Sequence, residues 1–240
     1  MTKHSVILLD IEGTAAPISF VYETLFSHAR RHLRQFLADH AHDAGVRDDL
    51  DLLATENHAE RQSSSDAPEF SHSSQLETAY NYLIWLMDQD RKSQALKSIQ
   101  GKIWAYGYTS GELQSTLFAD VAPALKRWHW EGRRVAIYSS GSVLAQKLLF
   151  RYTDSGDLSP WIDAYFDTAI GAKTQPESYN RIAKELAADT ATAIFLSDSI
   201  PELAAASSAG WDVRLAIRPG NRPVADATPH LTLASFAELL

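Results

Sequence analysis

Asp10 and Glu12 stand one residue apart in the string Asp-Ile-Glu-Gly-Thr, directly after the apolar run Val6 to Leu9. Two carboxylates at a tight turn containing Gly13 can both face one crevice. Left alone they repel each other, and one pKa rises. A divalent cation relieves that repulsion, and Asp198, after Ile194-Phe195-Leu196-Ser197, can supply a third oxygen. An all-oxygen set of this kind suits magnesium, which keeps several of its waters. A lone Asp-x-Glu would more often be a strand end with a solvated neighbour, but the complete string after an apolar run reverses that weighing.

Three further segments carry groups that could act with this pair. Ser139 and Ser140 precede Gly141 and a helical pattern. A hydroxyl with backbone N–H groups at a helix start makes an anion site, while plain helix capping explains the same serines. Lys173 lies in Gly171-Ala172-Lys173-Thr174 just before a helix opening with Pro176. A cation there opposes the helix dipole, which points to a task such as holding phosphate; a solvated loop lysine is the simpler account. Glu202, four residues beyond Asp198, reads either as a supporting group or as a favourable acid of a first helical turn. Trp104, Tyr106 and Tyr108, with Gly107, read equally as core packing with a helix stop or as a lid surface. The spacing of the nine histidines is not by itself read as a metal site.

These residues need a scaffold. Val6 to Leu9, Val135 to Tyr138, Ala193 to Leu196 and Val213 to Ile217 are short apolar runs that read as buried parallel strands, with a fifth around Tyr165-Phe166. Helical patterns follow over Pro123 to Glu131, Val143 to Tyr152, Pro176 to Ala188 and Pro201 to Ala209, the last with Ser199 as a candidate cap. The alternation predicts an α/β fold, a doubly wound parallel sheet with helices on its faces. Ligands of such sheets bind beyond the carboxyl ends of the strands, where Asp10, Ser139 and Asp198 fall. The interval from Ser19 to Leu113 has no buried strand. Leu25, Ala29, Leu33, Phe36 and Leu37 form one helical stripe. Leu76, Tyr80, Leu83, Ile84 and Met87 form another, and Leu96, Ile99 and Ile103 a third. The Ser-rich segment Gln62 to Ser74 reads as a loop between the first pair of helices and the rest. Residues 1–18 and 114–240 are therefore expected to form the sheet domain, and 19–113 a helical cap inserted after the first strand.

The bulk numbers limit the partners. The 240 residues are 45% hydrophobic, enough for a core, and carry a formal net charge of -8. That balance argues against nucleic acid or anionic lipid and requires a local positive site for any phosphorylated ligand. The absence of cysteine excludes disulfides, thiolate metal sites and a cysteine nucleophile. The N-terminal apolar run is too short for a signal peptide, and no stretch approaches the roughly 18 apolar residues of a membrane span. A soluble cytoplasmic protein is the expectation.

Taken in order, Asp10 to Thr14, Ser139, Lys173 and Asp198 resemble the four signature motifs of the haloacid-dehalogenase-like superfamily. Glu12 departs from its commoner second Asp. That departure, with Pro17-Ile18-Ser19-Phe20-Val21, is similar to the enolase-phosphatase (acireductone synthase) family. So are Ile99-Gln100-Gly101, Ile103-Trp104, Gly107-Tyr108 and Ser110-Gly111-Glu112-Leu113. Tyr138 to Ser142 with Ala145 to Phe150, Phe166-Asp167-Thr168, Phe195 to Asp198 and Arg218-Pro219-Gly220-Asn221 extend the likeness over most of the chain. Ala15, Ala16 and Ala205 depart from the family pattern.

The resemblance implies a magnesium-dependent phosphatase acting on 2,3-diketo-5-methylthiopentyl-1-phosphate in methionine salvage. The substrate would be enolised and then dephosphorylated to the acireductone. Asp10 would be the nucleophile and Glu12 the acid and base. Ser139, Ser140 and Lys173 would hold the phosphoryl group, and Asp10, Glu12 and Asp198 the Mg2+. A monomer with a small-molecule phosphorylated substrate is expected, with neither nucleic acid nor membrane as partner. The alternatives are a magnesium-dependent phosphatase for another small ester and an inactive capped ligand-binding domain.

Overall fold

In a computed structural model of the protein, Val6–Leu9 forms strand β1, with all four side chains fully buried. The structure describes residues 4–63, 66–71, 74–221, 223 and 229–239. Arg134–Tyr138 forms β2, Ala164–Phe166 β3, Ala193–Ser197 β4, Asp212–Ala216 β5 and Thr232–Leu233 β6. They make one parallel sheet in the order β3-β2-β1-β4-β5-β6. Val6 is level with Arg134 on one side and Ala193 on the other, so β1 is central. A central strand buried on both faces has no polar alternation, as its sequence shows. Each such Ile, Leu or Val contributes about 1.5–3 kcal/mol.

The helices of this unit are Val121–Trp130 (α5), Val143–Arg151 (α6), Pro176–Glu185 (α7) and Ile200–Ser208 (α8). One face of the sheet, including Val6, Leu8, Tyr138 and Phe195, packs with Tyr179 and Ile182 of α7 and Leu203 and Ala206 of α8. The order is doubly wound: the chain runs from β1 outward to β3, then returns to β4 beside β1. The crevice of such a sheet opens where the winding reverses, here between the ends of β1 and β4, immediately before Asp10 and Asp198.

The chain divides into two compact units: Met1–Glu23 with Leu113–Leu240, and Thr24–Glu112. A π-helical segment, Phe20–Phe26, leads from the first into the second. The second unit contains Ser27–His40 (α1), Ala44–Ser63 (α2), Gln75–Asp88 (α3) and Gln94–Ser110 (α4). The stripe Leu25, Ala29, Leu33, Phe36 and Leu37 is buried, as are Leu96, Ile99 and Ile103. Glu56 of α2 accepts from the Ser93 hydroxyl at 2.5 Å and the Gln94 N–H at 2.9 Å, so one helix satisfies the exposed donors at the start of another.

The structure corrects several expectations. α3 buries Ala79, Tyr82, Leu83 and Leu86, and Leu76 is exposed. The expected stripe left out Ala79, which is fully buried. α2 extends through Ser63 into the segment read as loop; Ser64, Ser65, His72 and Ser73 of that segment lie outside the described residues. α4 passes through Gly107 and ends at Gly111. Trp104 and Tyr108 are core residues, the Trp104 ring N–H donating to Leu25 O at 2.8 Å, while Tyr106 is exposed. Ser199 occupies the cap position of α8 without a side-chain capping bond, and α6 is capped by Ser142. The short edge strand β6 has no sequence signature of its own; two residues carry too little pattern to read.

Candidate active site

Asp10 follows the last residue of β1, and its N–H donates to Leu196 O at 3.0 Å, extending the pairing with β4 by one residue. This holds the carboxylate at the mouth of the crevice. Oδ1 accepts from the Ile11 N–H at 2.8 Å and from Lys173 Nζ at 2.5 Å; Oδ2 lies 3.1 Å from the Ser197 hydroxyl. Lys173 Nζ also reaches Glu202 Oε2 at 2.7 Å. The Ser197 hydroxyl lies 3.1 Å from Glu202 as well, and accepts from the Ser199 N–H. Asp10, Lys173, Ser197 and Glu202 thus form one connected polar group between the ends of β1 and β4.

After Asp10 the chain turns sharply. The N–H groups of Thr14, Ala15 and Ala16 all point to Ile11 O, and the Gly13 N–H donates to Ala16 O at 2.8 Å. Gly13 has φ +70°, and a Cβ there would lie 2.2 Å from Asp198 Oδ2. Only glycine gives both the left-handed backbone and the room for Asp198. Arg218 Nε donates to Thr14 O at 3.0 Å and Asn221 Nδ2 to Gly13 O at 2.8 Å, pinning the turn from the loop after β5. Arg218 is itself fixed by Asp120 at 2.8 Å.

Glu12 points to the end of β2. The Ser139 hydroxyl lies 3.2 and 3.3 Å from its two carboxylate oxygens and accepts from the Gly141 N–H at 3.1 Å. Ser139 therefore positions Glu12 and does not cap α6. Ser140 is exposed beside it. The Lys173 loop is clamped from below: Tyr138 donates to Gly171 O at 2.9 Å, Ser178 to Ala172 O at 2.7 Å and Tyr179 to Lys173 O at 2.7 Å.

A haloacid dehalogenase-like hydrolase family model matches residues 4–210. The enolase-phosphatase E1 of Synechococcus elongatus is 47% identical over 235 residues, covering 98% of this chain and 97% of that protein. That of Drosophila sechellia is 40% identical over 222 residues, covering 92% and 86%. The crystal structure of the UTR4 protein of Saccharomyces cerevisiae superposes with a TM-score of 0.80 at 37% identity, covering 97% of this chain and 98% of that one. The chain belongs to the enolase-phosphatase family of haloacid dehalogenase-like hydrolases.

In this enolase-phosphatase family member the charges are unbalanced. Asp10, Glu12, Asp198 and Glu202 surround one buried ammonium, Lys173. Burial, then the charge of Asp10, pushes the Glu12 pKa up. The same two causes in the same order raise Asp198 to about 6 and Glu202 to about 7. For Lys173, burial opposes the charged form, but Asp10, Glu202 and Glu12 outweigh it and raise the pKa. A surplus of carboxylate oxygens with raised pKa values is a donor set that fits a hard divalent cation. The oxygens of Asp10, Glu12 and Asp198 do not, however, all lie within 4.8 Å of one another. Glu12 lies against Ser139, and Asp198 lies beside the Gly13 turn.

Sequence reasoning gave Ser197 no role, although a hydroxyl closing an otherwise apolar strand was a visible signal. Tyr138 and Tyr179 were hidden because a buried tyrosine in a core pattern reads as packing. Glu202 is both an acid in the first turn of α8 and a partner of Lys173 and Ser197. Ala15 and Ala16 are fully buried, and Ala205 lies in the core with Leu203, so these family departures are packing positions.

Proposed function

We propose that this hydrolase converts 2,3-diketo-5-methylthiopentyl-1-phosphate into the acireductone and phosphate, the step of methionine salvage performed by an enolase-phosphatase. One observation carries the reading. A buried Asp10 is paired with Lys173 at 2.5 Å, while the second acid of the motif, a glutamate, lies against the Ser139 hydroxyl at 3.2 Å. These different partners assign two jobs to two carboxyls.

Asp10 attacks phosphorus in line and forms an acyl phosphate, with the P–O bond to the substrate breaking as the new one forms. Glu12, whose raised pKa favours a held proton, gives that proton to the departing oxygen. It then takes one from the water that hydrolyses the acyl phosphate. Lys173 and the exposed hydroxyl of Ser140 face the phosphoryl oxygens, and their contribution is electrostatic. Ser139 keeps Glu12 in place between the two proton transfers. Enolisation moves a proton from a carbon next to a carbonyl to an oxygen, and Glu12 is one candidate base for that step. Asp10 and Asp198 would hold Mg2+, which supplies charge neutralisation for the phosphate and the enediolate. Substrate choice is assigned to the helical unit Thr24–Glu112.

The test supplies the diketo phosphate with Mg2+ and follows the enediol by ultraviolet absorbance and phosphate separately. Both signals should appear, the enediol first. Phosphate without an enediol would leave a phosphatase that lacks the enolase step, and neither signal would sink the assignment.

A further inference from the structure

Six of the nine histidines fall between His28 and His72, and two of them meet. His28 and His32 lie four residues apart on α1 and therefore on one helical face. Their rings stack with centroids 4.2 Å apart and planes at 26°. Glu112, just past the end of α4, brings Oε2 to 3.6 Å from His32 Nε2. One ligand atom from each of these three residues lies within 4.8 Å of the other two. Among the described residues no other three histidine, aspartate or glutamate side chains meet so closely. All three belong to the unit Thr24–Glu112.

A surface ion pair accounts for His32 and Glu112 but not for His28. His28 is 8% exposed, and its ring is stacked on a second imidazole, an arrangement that repels if both are charged. Burial, then the neighbouring His32, lowers the His28 pKa, and a metal takes a neutral imidazole. Two imidazole nitrogens and one carboxylate suit zinc and its neighbours rather than magnesium, which prefers oxygen. Tetrahedral zinc with ligands at about 2.0–2.2 Å sets neighbouring ligand atoms about 3.4 Å apart, close to the spacing already present between His32 and Glu112.

We propose that His28, His32 and Glu112 form a site for a divalent transition cation of the zinc class, distinct from the carboxylate site on the sheet. The site has three protein ligands and one open position. Glu112 and α1 flank the places where the chain leaves and enters the helical unit, so a bound cation would tie these two segments together.

The experiment titrates the full chain, stripped with chelator and then held in excess Mg2+, with Zn2+ alone by calorimetry. The wild type should bind one zinc per chain. His32→Ala and Glu112→Gln should each weaken binding by at least about tenfold. Both positions are partly or fully exposed, so folding should survive, with circular dichroism as the check. Asp10→Asn, which alters only the carboxylate site, should keep the zinc affinity. No zinc bound by the wild type, unchanged affinity in either His32→Ala or Glu112→Gln, or loss of binding in Asp10→Asn would overturn the proposal.

Discussion

Lys173 Nζ lies 2.5 Å from Asp10 Oδ1, and both side chains are buried. The contact links the end of β1 to a loop 163 residues later. It is shared with Glu202, so one ammonium serves two carboxylates. Lys173→Met should lower kcat by about 10²–10³-fold, the loss seen when a fixed transition-state donor is removed. Steady-state phosphate release at saturating Mg2+ measures it. Lys173→Arg should not rescue the rate, because the planar guanidinium cannot replace a point charge in a closed pocket. Near-wild-type turnover in either variant would contradict the role.

Asp10→Asn should abolish phosphate release and keep the fold. The charge of Asp10 raises the pKa values of Glu12, Asp198 and Glu202, so its removal relieves repulsion. Thermal unfolding without Mg2+ should therefore occur at an unchanged or higher temperature than in the wild type. A clear fall would mean that Asp10 acts structurally.

Glu12→Asp withdraws the acid by one methylene from Ser139, which now lies 3.2 Å from Oε2. Proton transfer is expected to slow by about 10²–10⁴-fold, the usual worth of a positioned acid or base. Single-turnover kinetics separate its effect on enediol formation from that on phosphate release. Wild-type rates for both would show that the length of the side chain does not matter.

Gly13→Ala tests the turn. Its positive φ costs an alanine about 1 kcal/mol, and the new Cβ would meet the Asp198 carboxylate. The Mg2+ concentration for half-maximal activity should rise at least about tenfold. An unchanged Mg2+ dependence would remove Asp198 from the cation site.

Asp120 supplies a pH test remote from the carboxylate cluster. Burial raises its pKa, but Arg218 and the Phe236 N–H outweigh this, and the net shift is downward from 3.8. A carboxyl with a depressed folded pKa adds stability above its unfolded value and loses it as pH falls through the folded one. Asp120→Asn should thus destabilise the protein at pH 7, and the difference should shrink below about pH 3.8. Urea unfolding at several pH values measures it; a difference that stays constant down to pH 3 would remove the linkage.

The sequence by itself determined the parallel sheet and the residues at its strand ends. Val6 to Leu9 and Ala193 to Leu196 are apolar without alternation, which only a strand covered on both faces satisfies. A fully buried run must end on a polar group where it reaches solvent, and this marked Asp10, Ser139 and Asp198. Helix α2 was less legible because its buried face carries Asp49 and Asn57 among Val46, Leu50 and Leu53. These polar groups are satisfied by Lys102 and by the 66–71 segment, partners no local pattern reveals. The tertiary structure alone decided the pairings. Lys173 with Asp10, Glu12 with Ser139 and His28 with Glu112 join residues dozens to more than a hundred positions apart. Distance along the chain carries no information about which charges meet, because strand order and helix packing set those contacts. The division of labour between Asp10 and Glu12 follows from that: one residue separates them in the chain, and the Gly13 turn with Ser139 sends their carboxylates to different partners.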